Sequence, residues 1–309
     1  MSKIKKPAEL QTQSLLKVLI YGQPGIGKST IALSFPSPLM IDCDRGIHRV
    51  QPEHLSDTVE VNDWTDIDDV LKENLSVYKT IIFDTGGKLI DFMTDFLKKK
   101  NPKFAQGDGT FSLKGYGARK QMFQDLLGRL HIMGKHVVFV AHEKEERDGD
   151  NRFIRPEIGG SSGNDLIKEL DLVAYMEAIG KKRTIHFNPQ DKFYAKNACQ
   201  LPESMEVPDV TKGNVFMQGI IDRYNKSLAE RGEKATEYNE LIALINTGVG
   251  NAKSDADLNE FMATVQDFEH IWDSKLRASF AIRDKAKTLD LEFKDGKYIS
   301  KKEPELQMK

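Results

Sequence analysis

The chain has 309 residues, of which 39% are hydrophobic and 30% are charged, the balance of an ordinary globular protein. Its net charge of −2 excludes a global basic field, so any contact with DNA must come from local patches. Its two cysteines, Cys43 and Cys199, stand in no metal-binding or redox spacing, and no apolar run reaches the roughly 18–20 residues of a membrane helix.

The first part of the chain alternates short apolar runs with helical patterns. Residues 1–14 are a polar tail that lacks the apolar stretch of a signal peptide. Strands are predicted at 15–22, 38–44, 57–61 and 79–85. Helices are predicted at 28–35, 64–75 and 87–99, the second of them with Thr65 as its N-cap.

The middle of the chain continues this alternation up to a change near residue 214. A glycine-rich polar loop (101–115), a helix (116–133), a strand (135–142) and a charged, glycine-rich stretch (143–164) follow in order. "LDLVAYMEAI" and "KRTIHFNP" predict two strands joined by a "GKK" turn, and "DKFYAKNA" extends the sheet. Continuous apolar strands between helices indicate an α/β fold with a mainly parallel sheet covered on both faces.

The remainder of the chain has a helical pattern. We expect a tail at 1–14, an α/β domain at 15–230 and a helical region at 231–309 that ends in a loose polar tail, "KDGKYISKKEPELQMK". An approximate apolar stripe predicts a small bundle core, with a partner-binding face as the alternative. The stripe consists of Phe261, Phe268, Ile271, Trp272, Leu276 and Phe280.

The sequence "GQPGIGKS" at 22–29 matches the phosphate-binding pattern G-x-x-x-x-G-K-[ST], between an apolar strand and a helix. Its glycines permit the backbone angles that turn amide groups toward phosphates. Lys28 is expected to reach the β- and γ-phosphates of ATP, and Ser29 to bind Mg²⁺. The predicted nucleotide-binding residues are Gly22, Gln23, Pro24, Gly25, Ile26, Gly27, Lys28, Ser29 and Thr30.

A second carboxylate pattern follows at "TIIFDT", where Asp84 ends an apolar strand and is expected to hold Mg²⁺, usually through water. Many P-loop ATPases place a catalytic Glu directly after this residue, but here Thr85 follows, so water activation must come from elsewhere. Asp42 and Asp44 alternate onto one side of the preceding strand end. Asp44 is nearer the carboxyl edge and is the better candidate; the alternative is a solvated strand-end carboxylate.

The strand "VVFVAH" ends at His142, where a polar group can sense the γ-phosphate; a capping histidine is the alternative. In this order the motifs resemble the RecA-type core. "MIDCDRG" resembles its I-D-x-E pattern, with Asp44 in the place of Glu, and "VVFVAH" resembles its strand ending in Asn-Gln. "FYAKNACQLP" resembles its K-N-K segment, whose lysines reach the neighbouring subunit's nucleotide; Lys196 fits the first lysine and Ala198 replaces the second.

The overall layout, over about 15–225, resembles short phage-encoded RecA-like ATP-binding proteins, some of which act as single-strand annealing proteins in phage recombination. The resemblance implies a RecA-like P-loop ATPase that uses ATP and Mg²⁺. It also implies single-stranded DNA, other copies of the chain in a ring or filament, and phage replication or recombination proteins as partners, in the host cytoplasm and without a membrane. Two alternatives stay open: an ATP-dependent assembly factor or switch without DNA, and a small-molecule kinase.

Two segments are candidates for contact with single-stranded DNA. The first, 98–117, interleaves lysines for phosphates with aromatic residues for bases; the alternative is a helix C-terminus followed by an ordinary loop. Its candidates are Lys98, Lys99, Lys100, Lys103, Phe104 and Phe111. The second, 143–163, is acidic in its first half, so the candidates there are Arg152 and Arg155 in the distal half. The turn "GKKR" at 180–183 is a smaller basic feature, typical of a solvated hairpin.

Overall fold

The computed structural model describes residues 15–148, 151–159, 162–209 and 213–300. Contacts divide the chain into two compact units, one that ends at Asn225 and one that includes the residues from Lys226 onward. In the first unit the strands are β1 (Lys17–Gly22), β2 (Pro38–Asp42), β3 (Thr58–Glu60), β4 (Thr80–Asp84), β5 (His136–Asp148), β6 (Asn151–Pro156), β7 (Leu172–Ile179), β8 (Lys182–His186), β9 (Lys196–Asn197) and β10 (Ser204–Val207). The helices between β1 and β7 are α1 (Lys28–Ala32), α2 (Trp64–Val70), α3 (Gly86–Lys100), α4 (Leu113–Ile132) and α5 (Ser162–Glu169).

The central sheet has the strand order β10-β8-β7-β1-β5-β4-β2-β3. The strands from β7 to β3 in this order pair in parallel, whereas β8 and β10 add an antiparallel edge. Because β5 lies between β1 and β4, the end of β5 lies between the two strand ends that carry the phosphate-binding loop and Asp84. In this register His142 is aligned with Gly22, two residues beyond the partner of Asp84. The predicted α/β fold with a mainly parallel sheet is confirmed.

Apolar side chains on both faces of the sheet are buried, which explains the continuous apolar runs in the sequence. On one face, Leu19 and Tyr21 of β1 join a core that includes residues of α2, α3, α4 and α5. On the other face, Val18 and Ile20 join a core with α1 and with residues from Met217 to Ile221. The carboxyl ends of the parallel strands are thereby held at one edge, where the phosphate-binding loop begins.

Two local predictions in this unit were wrong. Helix α2 is capped by Asp63, whose carboxylate accepts a hydrogen bond of 2.7 Å from the amide of Thr65, so Thr65 is not the N-cap. The strand predicted at 135–142 does not end there: β5 continues into the charged stretch at 143–164 and pairs antiparallel with β6, and α5 begins within that stretch. The turn between β7 and β8 at Gly180 and the addition of β9 to the sheet were predicted correctly.

The second unit contains the later part of α6 (Phe216–Asn251), with α7 (Asp255–Gln266), α8 (Ser274–Thr288), β11 (Leu291–Lys294) and β12 (Lys297–Ser300). Phe261 and Phe268 pack against its small core, but Trp272, Leu276 and Phe280 are 64%, 56% and 51% exposed, so the predicted stripe divides. The hairpin of β11 and β12 lies where part of the loose tail was predicted, and 301–309 fall outside the described residues. Within the described ranges, no helix has the length and apolar character needed to cross a membrane.

Candidate functional site

The loop between β1 and α1 has the backbone that only glycine tolerates at several points. Gly25 and Gly27 have φ values of 78° and 96°, in the left-handed region. A Cβ atom at Gly22 would lie 2.1 Å from the carbonyl oxygen of Met176 in β7. The glycines of the motif therefore let the loop fold tightly against the neighbouring strand.

Lys28 is buried within this loop, with only 5% of its surface exposed, and its Nζ donates to the carbonyl of Gln23 at 2.6 Å. Burial lowers the pKa of Lys28 to about 8, while Asp84 and Glu143 act in the opposite direction. The ammonium group is therefore poorly solvated and held across the loop. A phosphate anion in the loop would supply the missing counter-charge.

Ser29 and Asp84 are joined by a hydrogen bond of 2.5 Å from the serine hydroxyl to the carboxylate. Burial raises the pKa of Asp84, and the nearby Asp42 and Asp44 add to the rise, while the Ser29 hydrogen bond and Lys28 oppose it. A hydroxyl and a carboxylate side by side are the oxygen donors that Mg²⁺ prefers when phosphates and water complete its coordination. Ser29 and Asp84 therefore fit the predicted Mg²⁺ and are the two residues that would hold it.

The two carboxylates at the end of β2, Asp42 within the strand and Asp44 two residues beyond it, have different environments. The carboxylate of Asp42 is buried and accepts from the amides of Asp44, Gly46 and Ile47 at 3.2, 3.0 and 2.9 Å. We predicted that strand alternation would place Asp42 and Asp44 on one side of the strand. This was wrong, because β2 ends at Asp42 and does not include Asp44. Instead the Asp44 amide donates to the carbonyl of Asp84 at 3.1 Å. Asp42 thus fixes the turn, and Asp44 is the carboxylate left beside Asp84.

His142 reaches the same place from β5. Its Nδ1 is buried and has no hydrogen-bond partner among the described residues, while its carbonyl accepts from the amide of Glu157 at 2.8 Å. A buried polar atom without a partner costs free energy unless a ligand or water satisfies it. The predicted phosphate sensor is therefore held by its backbone, lines the cavity, and has a ring nitrogen that no described residue satisfies.

One cavity of about 410 Å³ brings these side chains together. It is lined by the loop from Pro24 to Thr30 and by Asp44, Asp84, Thr85 and His142. Sequence reasoning missed Arg49, Glu53 and His54, which follow β2, and Met176, Arg183 and Val207 from β7, β8 and β10. Arg183 belongs to the turn that the sequence favoured as simply solvated. No local pattern marks these residues, because strand pairing brings the last three to the cavity and the turns after β2 bring the first three.

A family described as an AAA domain, AAA_24, matches residues 14–199 of the chain, more than half of its length. The chain belongs to this AAA domain family. With the sheet order and the phosphate-binding loop, this membership confirms the predicted fold class, a RecA-like P-loop NTPase, and makes the chain a nucleotide-binding ATPase domain.

The solved structures that match this AAA domain share little sequence with it. The KaiC-like protein PH0186 from Pyrococcus horikoshii OT3 is 13% identical, with 55% of this chain and 77% of that chain covered and a TM-score of 0.34. The RadB recombinase is 13% identical over 55% and 79%, with a TM-score of 0.35. A DnaB-like replicative helicase is 11% identical over 66% and 57%, with a TM-score of 0.33. No curated protein matches the chain.

Lys196 of the AAA domain lies away from the cavity of its own chain. It pairs with Val173 in β7, three residues before Met176, the partner of Gly22. Its Nζ donates to the carbonyls of Ile167 and Lys168 in the last turn of α5, at 3.1 and 3.2 Å. In this position it stabilises the end of α5; its predicted role at a neighbouring subunit stays a prediction.

The first candidate DNA segment of the AAA domain is partly folded on itself. Lys99, Lys100 and Lys103 are exposed, whereas the Nζ of Lys98 donates to the carbonyl of Gly109 at 2.9 Å. Phe104 is half-buried. Phe111 is buried against Tyr116, with ring centroids 5.1 Å apart, and offers no free face to a base, contrary to the role predicted for it. Tyr116, which is 48% exposed, is the aromatic side chain better placed for stacking.

The second candidate segment is the hairpin of β5 and β6, in which the arginines are already paired. Arg152 lies 3.6 Å from a carboxylate oxygen of Glu145, and Arg155 lies 2.9 Å from one of Glu146. The Arg155 guanidinium also lies over the ring of Phe153, 4.9 Å from its centroid. These pairs are exposed and individually weak. The glutamates nevertheless neutralise the positive charge of these arginines, which would otherwise attract the phosphates of a DNA backbone.

The pKa of Lys28 gives nucleotide binding by the AAA domain a pH dependence with a definite sign. Phosphates favour the charged amine, so above about pH 8 binding must take up a proton, and the affinity for MgATP should fall as pH rises, by at most about tenfold per pH unit. In Lys28→Arg the guanidinium stays charged, so this slope should disappear. Calorimetric titrations between about pH 7 and 9 measure both; equal slopes in the two proteins would contradict the assignment.

Proposed function

We propose that this AAA domain protein binds and hydrolyses MgATP and couples this to the binding of single-stranded DNA, in annealing or recombination of the phage type. The observation that carries the proposal is the convergence of Lys28, Ser29, Asp84, Asp44 and His142 on one cavity. Its volume, about 410 Å³, is within the usual range for a small-molecule site.

Each of these side chains has a role that follows from its position. Lys28 binds the β- and γ-phosphates, and Ser29 and Asp84 hold the metal. Mg²⁺, when bound there, would supply positive charge against the negative charge that develops on the phosphate oxygens. Asp44, whose backbone is bonded to that of Asp84, orients the attacking water from beside the metal. The unsatisfied ring nitrogen of His142 reads the γ-phosphate.

The support for DNA binding is the exposed basic surface of 98–117, where Lys99, Lys100 and Lys103 accompany Phe104 and Tyr116. Lysines track the phosphates of a single strand, and aromatic rings stack on its bases. The paired arginines of the hairpin and the net charge of −2 favour the competing function, an ATP-dependent switch or assembly factor without DNA.

Salt dependence distinguishes these two functions. Replacing Lys98, Lys99, Lys100 and Lys103 with alanine removes up to four phosphate contacts, so the slope of log affinity for single-stranded DNA against log salt should become shallower by up to ~3, at roughly 0.7 per contact. Lys98 contributes least, because it is held by Gly109. Phe104→Ala or Tyr116→Ala should cost about 1–3 kcal/mol per stacked base with the slope unchanged.

The matched control replaces four exposed lysines of the second unit, Lys234, Lys253, Lys275 and Lys294, which changes the net charge equally. Basal ATP hydrolysis should survive in all of these variants, while stimulation by DNA should be lost in the first set alone. A wild-type protein that binds no single-stranded DNA at low salt, with ATP and Mg²⁺ present, would remove DNA from the proposal and favour the switch. Transfer of phosphate to a small molecule, independent of DNA, would favour a kinase.

Assembly into a ring or filament is part of the proposal, with Lys196 as the side chain that completes a neighbour's site. Because Lys196 is bonded to carbonyls of α5, it must leave them to do so. Lys196→Ala should then slow hydrolysis in the assembled protein. An equal rate per subunit in wild-type and variant, at concentrations where images show the same assemblies, would count against the contact between subunits.

A further inference from the structure

Arg49 lies in the cavity but has no role in the site described above. It is the last residue of a short 3₁₀ turn, Ile47–Arg49, and its Nη1 is 3.7 Å from a carboxylate oxygen of Asp44. The guanidinium lies over Gly46, where a Cβ atom would come within 3.4 Å of Nη1. The Arg49 side chain therefore lies between Gly46 and the carboxylate of Asp44, the group that orients the attacking water in the proposed function.

The backbone that carries Arg49 is fixed at both ends, whereas its side chain is largely exposed. Before it, the buried carboxylate of Asp42 accepts from the amides of Asp44, Gly46 and Ile47. After it, Val50 is buried in the core beside α1. The Arg49 side chain is 62% exposed, so the ion pair with Asp44 is weak and can be exchanged for a stronger partner.

The position of this turn shows which part of a nucleotide would meet Arg49. The amides of Cys43 and Asp44 donate to the carbonyl of Asp84 at 2.7 and 3.1 Å, so the turn is attached to the metal end of the cavity. Arg183 also lines the cavity, but from β8, on the other side of β1. A triphosphate bound to Lys28, Ser29 and Asp84 would thus present its terminal phosphate toward Asp44 and Arg49.

We propose that Arg49 recognises the γ-phosphate of ATP from within the same chain, and that in doing so it releases Asp44. This rests on the proposed function, since it assumes that ATP occupies the cavity. A phosphate carries more charge than one carboxylate and matches the fork of a guanidinium, so the exchange is favourable. Arg49 is then both a reporter of ATP against ADP and a source of charge for the transition state, while Asp44 becomes available to water only when ATP is present.

The test compares Arg49→Ala and Arg49→Lys with Arg45→Ala. Arg45 is an exposed arginine four residues away whose guanidinium bonds to Asn62 and which is not among the described residues that line the cavity. Calorimetry gives the affinities for MgADP and for a non-hydrolysable MgATP analogue. In Arg49→Ala the preference for the triphosphate should fall about tenfold or more, the size of a charge-assisted contact, with MgADP affinity within about twofold of wild-type. Arg49→Lys should be intermediate, and Arg45→Ala unchanged.

Turnover provides the second measurement, and in Arg49→Ala it should fall by about 10²-fold or more, since an arginine that contacts a transferring phosphate can contribute about 10³–10⁵-fold to the rate. An unchanged preference for the triphosphate, or faster hydrolysis, would show that Arg49 only restrains Asp44 and would overturn the proposal. Equal weakening of both nucleotides would place the contact at another phosphate and also overturn it. If the wild-type protein bound no ATP, the proposed function itself would be wrong. If the wild-type protein bound ATP but Arg49→Ala did not lose its preference for the triphosphate, only this inference would be wrong.

Discussion

Replacing Lys28 with alanine should abolish productive ATP binding. Lys28 is the buried cation of the phosphate-binding loop, and its Nζ is held at Gln23, within the loop that would surround the phosphates. Removing it leaves the negative charge of the phosphates without its nearest counter-charge in a poorly solvated place. Calorimetric titration with MgATP should show no saturable binding at concentrations that saturate the wild-type protein, and hydrolysis should fall to background.

The folded state should not suffer from this change. Burial disfavours the charged amine of Lys28, which is why its pKa is lowered, so alanine relieves an unfavourable burial and the unfolding temperature should stay the same or rise. Lys88→Ala, which removes an exposed lysine of α3 paired with Asp91, is the matched control and should bind ATP normally. If Lys28→Ala retained wild-type hydrolysis, the loop would not be the nucleotide site.

Replacing Asp44 with asparagine should leave nucleotide affinity near its wild-type value and cut turnover by about 10²-fold or more, the loss typical of a missing general base. The amide has nearly the shape of the carboxylate but cannot accept a proton. The ion pair with Arg49 that is lost at the same time is exposed, so stability should change little. Steady-state and single-turnover assays measure the rate, and titration with a non-hydrolysable analogue measures the affinity.

Two neighbouring carboxylates provide the comparison. Asp84→Asn should weaken binding that depends on Mg²⁺, because it removes the carboxylate beside Ser29. Asp42→Asn should instead lower the unfolding temperature, since its buried carboxylate accepts from three amides of the turn. Normal hydrolysis by Asp44→Asn would mean that another group activates the water.

The parts of the site that could be predicted are those in which function depends on a short, contiguous pattern. Gly22 to Ser29 and Asp84 follow apolar strands directly, and strand ends at one edge of a parallel sheet meet, so their proximity follows from order alone. Arg49 and Arg183 could not be found in this way. Arg183 reaches the cavity through the pairing of β8 with β7, and Arg49 through a turn whose shape depends on the buried carboxylate of Asp42.

The hairpin of β5 and β6 was missed for a related reason. Strand prediction relies on apolar residues that alternate toward a core, but here charged side chains such as Glu145 and Arg152 stabilise the pair by meeting across it. The apolar stripe of the second unit failed differently: spacing placed Trp272 and Phe261 together, but the helix breaks between α7 and α8. A periodicity that crosses a turn does not define a face.

In mechanical terms, β5 connects the cavity to the hairpin that it forms with β6. The strand runs for 13 residues without a break, from the sheet through His142 and on to Asp148, and β6 stiffens the part that projects. The hairpin is also tied to the segment that follows β8: the amide of Ile154, which faces Glu145, donates to the carbonyl of Lys192 at 2.8 Å, and the carbonyl of Ile154 accepts from the amide of Tyr194 at 3.1 Å. Only the residues of β5 beyond Glu145 extend past this attachment. A molecule that held the hairpin would therefore act on His142 through β5 and on the segment at 192–194 through Ile154, without touching the phosphates.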